Sequence, residues 1–254
     1  MSDNDHGGVP YRLDDWRGEL DPRAAAELFA TLADRLGASG SVLDVGTGSG
    51  YVATALRHHG VPVVAVDVVD WRASDVDIPF AFGDACVLPV ADGSCDGVHM
   101  ARMLAHVADW RRALAELVRV LRPGGTLCLS LGGWLAKGPL RDFERAVDDE
   151  ALRRGVRRPE ASADYNDATD VDVELAELGL PEPEVVEVVG TLVRSPREIV
   201  ADVVGRHDRW EAGQDLSVLY DAGGAVLSSA TRDVDAALNQ QEHIPYRVYR
   251  RPAA

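Results

Sequence analysis

The stretch VLDVGTGSGYVATAL, residues 42–56, constrains the fold more than any other part of the chain. A short, mostly apolar run leads into a bend with glycines at 46, 48 and 50, and the bend opens a segment of helical periodicity. The order is strand, tight turn, helix. Glycines at such a turn let backbone N–H groups approach a ligand where a side chain would leave no room.

The same rhythm continues downstream. VPVVAVD is a second strand, buried on both faces, IPFAFGD a third, SCDGVHMARM a fourth and TLCLSLG a fifth, with RPGG read as a sharp turn before it. DPRAAAELFATLADRLG is a helix with Asp21 as N-cap, Pro22 at the first helical position and Gly37 as its stop. Gly60 closes the helix of SGYVATALRHHG, and DWRRALAELVRVL carries Leu114, Leu117, Val118 and Leu121 on one stripe. Strands alternating with helices predict βαβ units and a mostly parallel sheet. Beyond Gly133 the pattern changes. RDFERAVDDEALRRGVRR, DVDVELAELGL, SPREIVADVVGRHDRW and much of 216–242 read as helical, EPEVVEVVGTLV as a strand, and IPYRVYRR as a final alternating strand. One domain is expected rather than two.

Charge narrows the partners. The 254-residue chain has a formal charge of -16, which disfavours nucleic acid and anionic membrane surfaces. Cys86, Cys95 and Cys128 show no metal-ligand spacing, so no metal site is expected and a reducing cytosol fits. The N-terminal residues lack an apolar leader core and no run approaches a membrane span, so the expected location is cytoplasmic.

The glycine spacing bears on the ligand. A dinucleotide fingerprint would place its third glycine at 51, where Tyr51 stands, and this weakens a dehydrogenase reading. Asp44 lies two residues ahead of the first glycine, and an acid there suits a cationic ligand better than a pyrophosphate. At this point four blocks fall into register. VLDVGTGSG resembles the first motif of class I S-adenosylmethionine (SAM) dependent methyltransferases. VVAVD ends in Asp67, where that family keeps an acid for the ribose. GDACVLPVADGSCDGVHM and HMARMLAHVADWRRALAELVRVLRPGGTLCLS are similar to the segments that follow.

The resemblance implies an α/β, Rossmann-like, seven-stranded, mostly parallel sheet with an antiparallel last strand, helices on both faces and a helical lid insertion in the C-terminal half. It divides the chain into an arm and helix over 1–40 and a methyltransferase domain over 41–254, with a cofactor half at 41–133 and a substrate and lid half at 134–254. The implied cofactor is SAM, leaving as S-adenosylhomocysteine (SAH), held by Asp44, Gly46, Thr47, Gly48, Asp67, Val68, Asp84, Ala85, Met100 and Ala101. His106 follows the fourth strand, where a general base or a structural histidine could stand; His207 is a second candidate for catalysis or substrate contact, and Tyr11 and Trp16 could fold over the ligand. The expected partner is a small molecule, with methyl transfer to O, N or C in bacterial secondary metabolism, by a monomer or homodimer. The alternative is a SAM-binding protein of the same fold with a non-methylating role, as a cyclase or binding protein. The sequence departs from the family in one place: only VVDWRASDVD separates Asp67 from Ile78, too short for a crossover helix, so Val68, Val69 and Trp71 would wall the adenine side.

Overall fold

The computed structural model describes residues 21–37, 40–72, 76–131, 138–157, 167–205, 210 and 213–253. Tyr11, Trp16 and His207 lie outside them.

The first helix, α1 (Pro22–Leu36), begins where the sequence says it must. The Asp21 side chain accepts hydrogen bonds from the Arg23 and Ala24 amides, Pro22 follows it, and Gly37 ends the helix at φ 80°. Strands β1 (Val42–Val45) and β2 (Val63–Asp67) flank α2 (Tyr51–His58). Strand β3 (Phe80–Phe82) is short, and β4 (Cys95–Ala101) leads through a single 3-10 turn (Leu104–His106) to α3 (Trp110–Val120). Asp109 caps α3 by accepting from the Arg112 amide at 3.1 Å.

The seven strands form one sheet in the order β3-β2-β1-β4-β5-β7-β6, counting β5 (Leu121–Ser130), β6 (Glu184–Arg194) and β7 (Leu238–Arg250). β1 to β5 pair in parallel, and β7 runs antiparallel to β5 with Cys128 opposite Val248. The expected antiparallel last strand is therefore present. Between Asp67 and Phe80 the described residues contain no helix, consistent with the short connection.

The sheet buries both faces. On one, Leu114, Leu117 and Trp110 of α3 pack with Val98 and Met100; on the other, Leu28 and Leu32 of α1 pack with Leu56, Ile244 and Tyr246. Each fully buried Leu of this kind stabilises the fold by roughly 1.5–3 kcal/mol. Helix α5 (Ala168–Glu177) is tied to β7 by Asp172, which accepts from Arg247 Nε at 2.8 Å and from the Tyr249 hydroxyl.

By contact density the chain divides into two compact units, one of residues 10–133, 161–190 and 243–254, the other drawn from 134–160 and 191–242. The second contains α4 (Pro139–Arg153), α6 (Pro196–Gly205) and α7 (Ser217–Ser229), which share a core of Val147, Val200, Leu219 and Ala222.

Two local expectations are corrected. Residues 238–242 are strand, not helix: Gln240 and Glu242 are buried and alternate with the exposed Asn239 and Gln241, so the alternation of β7 begins with polar residues and is masked in the sequence. Within their own unit these polar groups are satisfied, since Gln240 Oε1 accepts from the Leu140 amide at 2.9 Å and Glu242 from Arg141 at 3.1 Å. Residues 122–125, read as a sharp turn, belong to β5, which absorbs Gly124 at φ 79° through a register shift opposite Cys95 and Gly97.

Candidate functional site

The carboxyl ends of β1, β2 and β3 converge on the glycine bend. Gly46, Gly48 and Gly50 have φ of 72°, 53° and 78°, the left-handed region that favours glycine. The bend is tacked to β2 by the amides of Gly46 and Thr47, which both donate to the Val66 carbonyl, at 2.8 and 3.2 Å. A Cβ on Gly46 would lie 2.3 Å from Met103 Cγ, whereas one on Gly48 would meet nothing within 4 Å. Gly48 therefore presents open backbone, while Gly46 is packed from one side.

Asp67 closes β2 beside that open backbone. Its Oδ2 accepts from the Gly48 amide at 3.0 Å and its Oδ1 from the Val68 amide at 2.8 Å. Burial pushes the Asp67 carboxyl above its ordinary value, and the amides of Gly48, Val69 and Val68 pull it part of the way back. Its own carbonyl accepts from Gly83 at 3.0 Å, which joins the segment after β3 to the same edge. There Asp84 Oδ1 accepts from the Cys86 amide at 2.8 Å, and Glu116 of α3 holds the Leu88 amide at 2.7 Å. Asp84 is exposed and Ala85 buried. Val68 and Phe82 stand at the ends of paired strands with 53% and 69% of their surface exposed, an apolar margin next to Asp67.

Asp44 sits beneath the bend rather than in its mouth. It is buried, with Oδ2 accepting from the Thr47 hydroxyl at 2.7 Å and Oδ1 2.6 Å from His99 Nδ1. His99 Nε2 in turn lies 3.0 Å from the Tyr246 hydroxyl. Sequence reasoning singled out neither His99 nor Tyr246. The available signal was a histidine inside the apolar strand CDGVHMA, since a polar ring buried in a sheet needs a partner.

The remaining candidates separate. The Met100 side chain is fully buried in the α3-side core, so only its backbone faces the strand end, while Ala101 belongs to the opposite face. Directly after them Arg102 adopts φ 56°, the one non-glycine residue with positive φ among those described, and its amide donates to the Ser130 carbonyl at 2.8 Å. Holding such a residue left-handed costs roughly 1–2 kcal/mol, and strain of this kind collects at functional edges. His106 is exposed on the 3-10 turn.

A methyltransferase-domain family profile matches residues 43–129. Among curated relatives, a demethylmenaquinone methyltransferase of Renibacterium salmoninarum is 38% identical over 107 residues, covering 39% of this chain and 44% of the relative. The matched stretches of the first four relatives span about a third to under half of those proteins, 35% to 45% of their length. The fold is similar to phosphoethanolamine N-methyltransferase 2 of Haemonchus contortus, crystallised with phosphomonomethylethanolamine and SAH (TM-score 0.58, 15% identity, 99% of this chain and 61% of that one). It is also similar to the (4+2)-cyclase SpnF (TM-score 0.54, 19% identity, 91% and 82%). With its glycine bend and its strand-ending acid, the segment 43–129 is similar to the methyltransferase domains whose family profile it matches.

Proposed function

We propose that the protein binds SAM at the glycine bend and transfers its methyl group to an O, N or C atom of a small molecule. The observation that carries this reading is the Gly48–Asp67 contact, which sets a carboxylate beside open backbone at the carboxyl edge of the sheet. The residues fit the cofactor. Each Asp67 oxygen holds one short amide bond and keeps acceptor capacity for the two hydroxyls of a ribose. Val68 and Phe82 offer apolar surface for an adenine ring, with Asp84 and Ala85 beside it. The backbone of Gly46, Thr47, Gly48, Met100 and Ala101 would line the methionine end, with Asp44 fixing the bend from below.

When bound, SAM supplies an electrophilic methyl on a sulfonium. The chain's contribution is then chiefly to orient and to exclude water, which brings attacking atom and methyl into line. Residues 134–254 would choose the acceptor. His106 would serve as a base only for a nucleophile that must lose a proton. The acidic chain favours a small, uncharged or cationic acceptor, in keeping with bacterial secondary metabolism in the cytoplasm.

The test is incubation with methyl-labelled SAM and a panel of phenols, amines and enols, followed by mass spectrometry of the products. Labelled product supports methyl transfer. Calorimetry that detects neither SAM nor SAH overturns the reading. The resemblance to SpnF keeps a second reading, in which SAM binds and no label moves.

A further inference from the structure

Beneath the glycine bend a buried row of polar side chains runs Tyr246, His99, Asp44, Thr47, and its proton positions follow from counting donors and acceptors. A buried phenol must donate its proton, and among the described residues the hydrogen-bond partner of the Tyr246 hydroxyl is His99 Nε2, at 3.0 Å. Burial pushes the Tyr246 phenol well above its ordinary value, so it keeps the proton it donates. Nε2 is therefore an acceptor, and the ring carries its single proton on Nδ1, which faces Asp44 Oδ1 at 2.6 Å. The Thr47 hydroxyl donates to the other oxygen at 2.7 Å. Every donor in the row thus points toward Asp44, an arrangement that suits an ionised carboxylate and a neutral imidazole.

The sheet makes the row possible. His99 of β4 lies in register with Cys128 of β5, whose small buried side chain leaves room for the Tyr246 ring of β7 to reach across. The two rings stack with centroids 5.6 Å apart and planes at 30°, so His99 has little freedom to turn. Asp44 in turn holds Thr47, whose amide is also fixed to Val66. A displacement of His99 would therefore be felt at the bend.

We infer that His99 is a positioning residue of the cofactor site, a neutral imidazole protonated at Nδ1 that orients Asp44 and, through Asp44 and Thr47, the glycine bend. This inference rests on the reading that the bend binds SAM or SAH.

Two measurements test it. Nitrogen-15 NMR of the full-length protein should show His99 with a pyrrole-like Nδ1 and a pyridine-like Nε2, and Tyr246→Phe should disturb the Nε2 signal. SAH titration by calorimetry should weaken about tenfold or more in His99→Leu, the size expected for one lost charge-assisted bond, and stay within about threefold in His99→Asn, whose amide still donates toward Asp44. Melting curves show that each variant is folded; if His99→Leu is not, the rescue by His99→Asn decides. A proton on Nε2, a folded His99→Leu that binds like the parent, or a His99→Asn as weak as the leucine variant overturns the inference. If the parent itself takes up neither SAM nor SAH, the cofactor reading fails instead, and the NMR still reports the proton's place.

Discussion

The Gly48 amide donates to the Asp67 carboxylate at 3.0 Å, across 19 residues of sequence. The contact joins the bend after β1 to the end of β2, so one hydrogen bond fixes the open backbone of the bend beside the acid that ends the strand. Each half restrains the other: Gly48 keeps the left-handed conformation that opens its backbone, and Asp67 keeps a fixed rotamer.

Asp67→Ala should lose SAH affinity with little effect on folding. A charge-assisted bond to a carboxylate contributes about 1.5–3 kcal/mol, so the expected loss is about ten- to a hundredfold by calorimetry. An affinity unchanged in a folded variant would remove Asp67 from the site.

The same acid should make binding pH-dependent. Its carboxyl lies above the ordinary 3.8 in the folded chain, chiefly through burial. The folded state then holds the proton more tightly than the unfolded one. Asp67's contribution to stability is present in full below 3.8 and is lost as pH rises through its folded value. Binding runs the other way, because the ionised form is the better acceptor. SAH affinity should rise with pH across that interval, and the rise should vanish in Asp67→Asn.

Glycine replacements should separate strain from crowding. Gly48→Ala pays left-handed strain alone, about 1 kcal/mol. Gly46→Ala adds a collision with Met103, 2.3 Å from the new Cβ, and should cost visibly more in urea unfolding. Equal costs would mean that Met103 moves freely.

Thr47→Val should destabilise the fold by about 1–3 kcal/mol, because it strips a hydroxyl donor from a buried carboxylate, while Thr47→Ser should restore most of it. Chemical denaturation of the three proteins checks this.

Cys128 should be inert to thiol reagents in the native protein. Burial pushes its thiol up to about 12, so thiolate is scarce at neutral pH. Unfolding in denaturant should expose all three free cysteines to Ellman's reagent.

The site was legible from sequence where the signal is local. Asp21 and Pro22 start a helix and Gly37 stops it, each by backbone chemistry within its own turn, and the glycine bend follows from its three glycines. The start of β7 was not legible, because Gln240 and Glu242 occupy buried positions that pattern reading assigns to apolar residues. Their burial depends on α4, about a hundred residues away, and no local rule contains that distance.

The sequence by itself determined the strand and helix order, the shortness of the connection between β2 and β3, and the acid that ends β2, since each follows from periodicity, capping or chain length. Only the tertiary structure decided what Asp44 does. Its partners Thr47 and His99 come from the bend and from β4, and Tyr246, which holds His99, from the far end of the chain; a buried carboxylate is defined by the donors that replace its water.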